Sequence, residues 1–392
     1  MTDVAERLEE LRDRGLYRRL RLVSGPQGPR VLLGGRQVLL LCSNNYLGLA
    51  DHPKVRGAAA EAAMRFGAGA GASRLISGNM EPHRRLESRL AEFEGYEAAL
   101  LFGSGYLANT GAIAALAGRG EVVFSDELNH ASIVDGCRLA RAETFVYRHG
   151  DLEHLAWGLR EASGRGSLIV SDGLFSMDGD VAPLPQLLEL ARRHGCRLMV
   201  DEAHATGAIG PGGRGAVAAA GLSGEIDLVV GTLGKALGSY GAYVCASAET
   251  VDFLVNTARS FIFSTAPPPP SVAAASAALE LVSPHRVERL QTNADRFRAA
   301  LAAEGLDTGP SQTQIVPIEV GEAERTMELC ERVLERGVFA QGIRPPTVAE
   351  GSSRLRFTVM ATHRVGELER AAKLVGGGAR ELGLVAPQTI AA

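Results

Sequence analysis

Cysteine is scarce and badly placed for pairing. The chain has five, at positions 42, 137, 196, 245 and 330, odd in number, far apart and without a CxxC pair. That excludes a disulfide scaffold and a cysteine-ligated zinc site, and it fits free thiols in a reducing cytoplasm. Cys196 and Cys245 sit in apolar, strand-like runs, so burial is their expected role. No apolar run reaches the length of a membrane span. Positive charge is not in excess: 41 Lys and Arg against 45 Asp and Glu give a formal net charge of -4. This argues against nucleic acid or an anionic membrane as the main partner. The one basic cluster, Arg18-Arg19-Leu20-Arg21, reads as a solvated face or an anion contact. The first residues, MTDVAERLEELRDRG, are expected to form a charged amphipathic helix and not a signal peptide.

Two familiar nucleotide signatures are also missing. GTLGKAL has alanine where a phosphate-binding loop needs Ser or Thr, and it lacks the spaced glycine. GAGAGASRL neither follows a clear strand nor opens a strong helix, as a dinucleotide fingerprint must.

What is present is glycine and an alternating apolar pattern. Hydrophobic residues make up 46 % of 392 positions, ample for a large core. A helix is expected over Asp3 to Leu20, then two short strands between Arg30 and Cys42 turning at Gly34-Gly35. A helix over Pro53 to Phe66 and a glycine-rich loop, Gly67 to Asn79, follow. From Glu121, strand candidates (122–124, 144–147, 168–171, 197–200, 228–230, 243–245) alternate with helices such as 152–162 and 184–194. This pattern predicts an α/β fold with a mostly parallel sheet covered on both faces, whose ligands bind beyond the carboxyl ends of the strands. Asp172, Asp201 and Lys235 fall there. The four prolines at 267–270 predict a chain break. The expected division is 1–42, an N-terminal helix and short strands; 43–270, a large domain; and 271–392, a smaller C-terminal α/β domain.

Lys235 lies in GTLGKALGS (231–239), just after the apolar run Ile226 to Val230. Taken alone, a surface lysine beside glycines explains it better than a reactive amine in a dry pocket. Other stretches add to it. DEAHATG puts Asp201 at a strand end and His204 three residues on. FGSGYLAN is a small-residue turn entering a helix, so Gly105 and Tyr106 can offer backbone amides to a phosphate. His130, in LNHASI, can stack on a planar ring, or be a core histidine or helix cap. An amine, a carboxylate, a stacking partner and an anion cradle are what pyridoxal 5'-phosphate requires.

SNNYLGL, GASRLISGN, FGSGYLAN, LNHASIVDG, FSMDGD, DEAHATG, GTLGKALG and IRPPTV together resemble the α-oxoamine synthases, from about Leu16 to the last helix. The resemblance implies fold type I of the pyridoxal-phosphate transferases, like aspartate aminotransferase, and a homodimer with active sites at the subunit interface. IRPPTV and SRLISGN are most like the biotin-pathway branch. That branch condenses L-alanine with a pimeloyl thioester of coenzyme A or acyl carrier protein. Glycine with acetyl-coenzyme A is the nearest rival, and a non-catalytic partner subunit the rival of another class.

By the same resemblance, Lys235 would hold the cofactor and later move the substrate Cα proton, and Asp201 would pair with the pyridine nitrogen. His204 and Ser176 would reach the ring hydroxyl. His130 would stack on the ring and stabilise the condensing carbonyl. Gly105, Tyr106 and Thr232 would hold the phosphate with Thr265 of the partner subunit. Asn45 and Arg344 would lie near the amino-acid carboxylate, and Arg18 and Thr347 would meet the acyl thioester. Ser73 stands where glycine-using 5-aminolevulinate synthases carry threonine. One methyl fewer leaves room for alanine, a difference of ~1–3 kcal/mol. The serine that often precedes the lysine in this family is Gly234 here.

Overall fold

The computed structural model describes residues 3–385. They form two compact units: a larger one of 49–176 and 180–287, and a smaller one that takes in the described residues before 49, residues 177–179 and the described residues from 288 on.

The smaller unit starts with helix α1 (Val4–Asp13). This helix ends seven residues short of the predicted Leu20. Gly15, at φ 64°, takes the left-handed conformation that closes a helix, and the Leu16 amide turns back to the Leu11 carbonyl at 2.8 Å. Next come β1 (Val23–Ser24), β2 (Arg30–Leu33) and β3 (Arg36–Leu40), and the last two form the predicted hairpin.

In the larger unit, helix α2 (Pro53–Phe66) has proline in its first turn and His52 as its cap. Helix α3 (Glu81–Glu94) precedes β4 (Ala98–Phe102), and α4 (Gly105–Leu116) precedes β5 (Val122–Asp126). Helix α5 (Ala131–Ala140) leads to β6 (Glu143–Tyr147). Strands β7 (Gly166–Asp172), β8 (Arg197–Asp201), β9 (Leu228–Thr232) and β10 (Ala242–Ala246) complete the sheet. Its order is β4-β10-β9-β8-β7-β5-β6, and β10 alone runs antiparallel to its neighbours. All six predicted strands are there; β4 is the one that the sequence reading left out. Gly95, left-handed at φ 82°, sets its run AALLF off from the helix before it, and that signal was overlooked. Leu228, Val229 and Val230 are fully buried, worth about 1.5–3 kcal/mol each, so both faces of the sheet are covered.

The proline run does not break the larger unit. Pro269 occupies the first turn of a helix, Pro269–Leu279, that packs against α2 and α3. The boundary therefore falls at 287/288. Nor do the first 42 residues stand apart: β12 (Val338–Phe339) lies parallel to β3, within one smaller unit. Strands β11 (Ile315–Gly321), β13 (Gln341–Ile343) and β14 (Ser353–Thr358) form a second, antiparallel sheet there. Phe297, Val316, Leu355 and Phe357 are in its core. Among the described residues no helix is long and apolar enough to cross a membrane.

Candidate active site

In the larger unit, β5, β7 and β8 end on aspartates, and β9 runs straight into the lysine loop. Asp172 and Asp201 are register partners on adjacent parallel strands, and Asp201 faces Val230 on β9. β5 and β7 are neighbours, but the chain goes on from β5 to β6 on one side and from β7 to β8 on the other, so the two connections leave in opposite directions. Such a reversal opens a crevice at the strand ends.

The Asp201 carboxylate is 4 % exposed and held by two donors. Oδ1 accepts the Ala203 amide at 2.8 Å, and Oδ2 accepts Asn109 Nδ2 at 2.6 Å. Asp172 is fully enclosed and accepts the His130 amide at 3.0 Å. Burial, and next the charge on Asp201, push its pKa well above the usual carboxylate value, while Lys235 pulls it back. The neighbouring charge of Asp201 thus favours the protonated form of Asp172.

His130 caps α5, its Nδ1 accepting the Ser132 amide at 3.3 Å, so the helix-cap alternative holds alongside any ligand role. Solvent reaches its ring. The surrounding walls still strip enough water to lower its pKa, with Asp201 opposing and Lys235 adding to the fall. His130, Asp172, Asp201 and Lys235 thus share one electrostatic site.

The lysine loop is fixed by glycines. Gly238, at φ 58°, lies so close to the chain at Ala50 that a Cβ would meet its nitrogen at 2.4 Å. A Cβ on Gly231 would sit 2.1 Å from the Tyr243 ring. Lys235 is half-buried, Gly234 before it is exposed, and the hydroxyl of Thr232 donates to the Gly241 carbonyl at 3.1 Å.

At the start of α4, the Ser104 side chain accepts the Leu107 amide, so the amides of Gly105 and Tyr106 are the uncapped ones. A Cβ on Gly105 would meet nothing within 4 Å, so this helix start is open to a ligand. The exposed Tyr106 hydroxyl binds Asp135. His204 is buried three residues past Asp201. Ser176 is half-buried in a short hairpin closed by the Leu174–Val181 bridge. Ser73 pairs with Thr265 in an antiparallel bridge and opens a five-residue π-helix, Arg74–Gly78. Arg74 is buried there, with its guanidinium on Glu87 at 2.8 and 3.0 Å.

The other four predicted residues belong to the smaller unit. Arg18 and Thr347, both exposed, and buried Arg344 line a cavity of about 1050 Å³ with Tyr17, Arg12 and Gln341. Arg344 gives one nitrogen to the Tyr17 carbonyl and one to Met327 Sδ, each at 2.8 Å, while its Nε has no partner. Burial and then Arg18 lower its pKa. Asn45 is buried, its amide on the Gln27 carbonyl at 3.0 Å.

Some residues escaped the sequence reading. Arg356 is another buried guanidinium, on β14 beside Tyr46, two positions along the strand from Arg354, which is buried too. The alternation R-L-R in SRLRF was the available signal. His149 bridges Asp126 at 3.0 Å and Asp180 at 2.9 Å, and stands edge-on to Phe175 with centroids 4.4 Å apart. Hydrogen bonds to the two aspartates raise its pKa to about 10, so it clamps the foot of the Ser176 hairpin as a cation. Nothing in the spacing of Asp126, His149 and Asp180 announces this. Asn109 and Ser132 lie inside quoted motifs, but only the fold shows that they meet, at 2.8 Å.

The model of the aminotransferase class I and II family matches residues 36–375. The 8-amino-7-oxononanoate synthase of Geobacter sulfurreducens is 58 % identical over 97 % of this chain and 99 % of its own. That of Citrifermentans bemidjiense is 56 % identical over 98 % and 100 %. Among solved structures, serine palmitoyltransferase of Sphingomonas wittichii superposes with a TM-score of 0.92 at 31 % identity, covering 98 % of each chain. The 8-amino-7-oxononanoate synthase of Francisella tularensis gives 0.76 at 27 %, over 88 % of this chain and 99 % of that one. A serine palmitoyltransferase of S. paucimobilis, with a TM-score of 0.92 at 32 % identity over 97 % and 98 %, was solved with PLP and myriocin.

Pyridoxal phosphate fits the donor set here. An anchored carboxylate, an amine and an imidazole share one electrostatic site, and the same unit presents an open helix start with two uncapped amides.

Proposed function

The chain belongs to the class I and II aminotransferase family, in its α-oxoamine synthase branch, and we propose that it makes 8-amino-7-oxononanoate from L-alanine and a pimeloyl thioester. The net reaction breaks the alanine Cα–H bond and the thioester C–S bond and forms a bond from Cα to the acyl carbon. The alanine carboxylate leaves as carbon dioxide, a proton returns to Cα, and the thiol carrier departs.

Pyridoxal phosphate, when bound, supplies an aldehyde for amines and a protonated ring that draws electrons from Cα. Lys235 Nζ is the attachment point and afterwards takes the Cα proton and gives one back. The Asp201 carboxylate, anchored by Ala203 and Asn109, holds the pyridine proton by charge. His130 covers the ring and donates to the thioester oxygen as negative charge grows there. The Gly105 and Tyr106 amides at the start of α4 take the phosphate, with Thr232 and with Thr265 of the partner subunit. His204 and Ser176 serve the ring hydroxyl. Arg344 and Asn45 receive the amino-acid carboxylate; Arg18 and Thr347 receive the acyl thioester.

A homodimer is part of the proposal. Exposed Leu75, Ile76 and Phe263 flank the Ser73–Thr265 bridge, an apolar strip that a second copy would cover. The five free cysteines fit a cytoplasmic enzyme.

The observation that carries the reading is near-full-length identity to enzymes of that name, joined to one site holding Lys235, Asp201 and His130. A steady-state screen tests it. Alanine, glycine and serine are each paired with pimeloyl-, acetyl- and palmitoyl-coenzyme A. Alanine with the pimeloyl thioester is expected to give the highest kcat/KM. Glycine with acetyl, or serine with palmitoyl as the structural neighbours suggest, would overturn the substrate assignment and leave the family standing.

A further inference from the structure

Both amide hydrogens of Asn109 are committed inside the site. Nδ2 donates to Asp201 Oδ2 at 2.6 Å and to Ser132 Oγ at 2.8 Å. Asn109 is 1 % exposed, Ser132 0 % and Asp201 4 %, so water does not compete for these bonds. The amide has one sensible orientation, because a flip would set its oxygen against a carboxylate. In that orientation Oδ1 has no partner. A buried acceptor left bare is costly, which marks the two donations as what the side chain is there for.

The chain of bonds has a direction. Ser132 Oγ accepts from Asn109 and lies 2.7 Å from His130 Nδ1, within reach for its own hydrogen to be given to that nitrogen. The Ser132 backbone amide donates to the same nitrogen at 3.3 Å. An imidazole nitrogen that accepts from two donors carries no proton itself, so a neutral ring holds its proton on the other nitrogen.

We propose that Asn109 and Ser132 are positioning residues: one amide hydrogen of Asn109 orients Asp201, and the other begins a directed chain through Ser132 that fixes His130 with its proton on Nε2. One side chain thereby ties the group under the pyridine nitrogen to the group over the ring. A ring held this way donates from Nε2 and has no free lone pair. It can stabilise charge on a thioester oxygen, and it does not compete with Lys235 for the Cα proton. The charged groups that face His130 are Asp201 from β8, Lys235 after β9, and Asp172 from β7, which accepts its backbone amide. The catalytic meaning rests on the proposed function; the tautomer does not, since it is read in protein without substrate.

The test is long-range 1H–15N NMR on enzyme with 15N-labelled histidine, with and without cofactor, His130 being assigned by its loss in His130→Gln. Wild type is expected to show His130 protonated on Nε2 alone near neutral pH. Ser132→Ala removes the stronger donor to Nδ1. It should give a mixture of the two tautomers and raise the His130 pKa, because a bond to the neutral form is lost. Ser132→Cys, similar in size and a weaker donor, should fall between. In steady state Ser132→Ala should lower kcat by about ten-fold, with the KM for alanine within about two-fold and cofactor retention unchanged. Asn109→Ala should disturb both arms, giving the mixed tautomer together with weaker cofactor retention. If Asn109→Ala does not fold, the Ser132 pair decides, since it leaves the bond to Asp201 in place. A wild-type proton on Nδ1, or a Ser132→Ala enzyme with the tautomer and pKa of wild type, overturns the proposal. A screen favouring other substrates would instead remove the proposed function and leave the tautomer as it is.

Discussion

The larger and smaller units carry their candidate site residues on different kinds of backbone. In the larger unit the groups proposed for the chemistry stand at strand ends: Asp172 on β7, Asp201 on β8, Lys235 just past β9. Each is locked by its neighbours: Asp201 by Asn109 and Ala203, Asp172 by His130, the lysine loop by Gly238 against Ala50. In the smaller unit Arg18 and Thr347 lie in irregular chain, exposed around a wide cavity, and Arg344 just past β13 keeps a bare Nε. Chemistry needs groups fixed to fractions of an ångström, and a parallel sheet provides that. Recognition of the proposed acyl thioester would need reach and spare donors. The account therefore expects lost kcat from the larger unit and raised KM from the smaller.

The largest effect should come from Asp201→Asn. An amide cannot hold the pyridine proton by charge, so kcat should fall by roughly 10²–10³-fold and cofactor retention should weaken. Near-normal kcat with alanine would take Asp201 out of the chemistry and break the comparison at its strongest point.

Arg344→Met comes next. Losing a charged hydrogen bond of about 1.5–3 kcal/mol should raise the KM for alanine ten-fold or more and leave kcat within a few-fold. If Arg356→Met has the larger effect, the carboxylate role passes to Arg356, still within the smaller unit.

Ser73→Thr sharpens the comparison, because it tests a proposed recognition residue in the larger unit. The added methyl should cost roughly 1–3 kcal/mol against alanine and little against glycine. The alanine-over-glycine ratio of kcat/KM should then drop by about ten-fold. Equal slowing of both amino acids would place the preference elsewhere.

The smallest effect is on stability. His149 is a cation between Asp126 and Asp180, with its folded pKa raised to about 10 from 6.5. Its contribution is fully present below pH 6.5 and is lost as pH rises toward 10. His149→Gln should therefore destabilise by ~1–3 kcal/mol at pH 6, and the gap from wild type should close by pH 10 in urea melts. A gap independent of pH would mean that packing on Phe175, and not charge, is what the ring supplies.

The same contrast explains what was legible in the sequence. The interior strands announced themselves as apolar runs, and a polar residue at the end of such a run is conspicuous, so Asp172, Asp201 and Lys235 could be read directly. Pro53 and Pro269 both open helices; the first fell inside a clear helical period, while the second sat in a proline run and read as a break. Ser73 and Thr265 were named from resemblance alone, since no spacing rule brings positions 192 residues apart into one bridge. Asn109 meeting Ser132, and His149 meeting Asp126 and Asp180, depend on how helices and loops settle over the sheet. Periodicity carries no such information. Arg356 was hidden differently: on a buried strand its charge looked like surface alternation.

The central claim is that Lys235, at the end of β9, is the amine that holds pyridoxal phosphate. Borohydride treatment of the cofactor-loaded enzyme, followed by peptide mapping, tests it most directly. The account predicts the fixed cofactor on the peptide containing GTLGKALG, at Lys235, and no label in Lys235→Ala. Label on Lys54 or Lys373, the two other lysines of the chain, would contradict it.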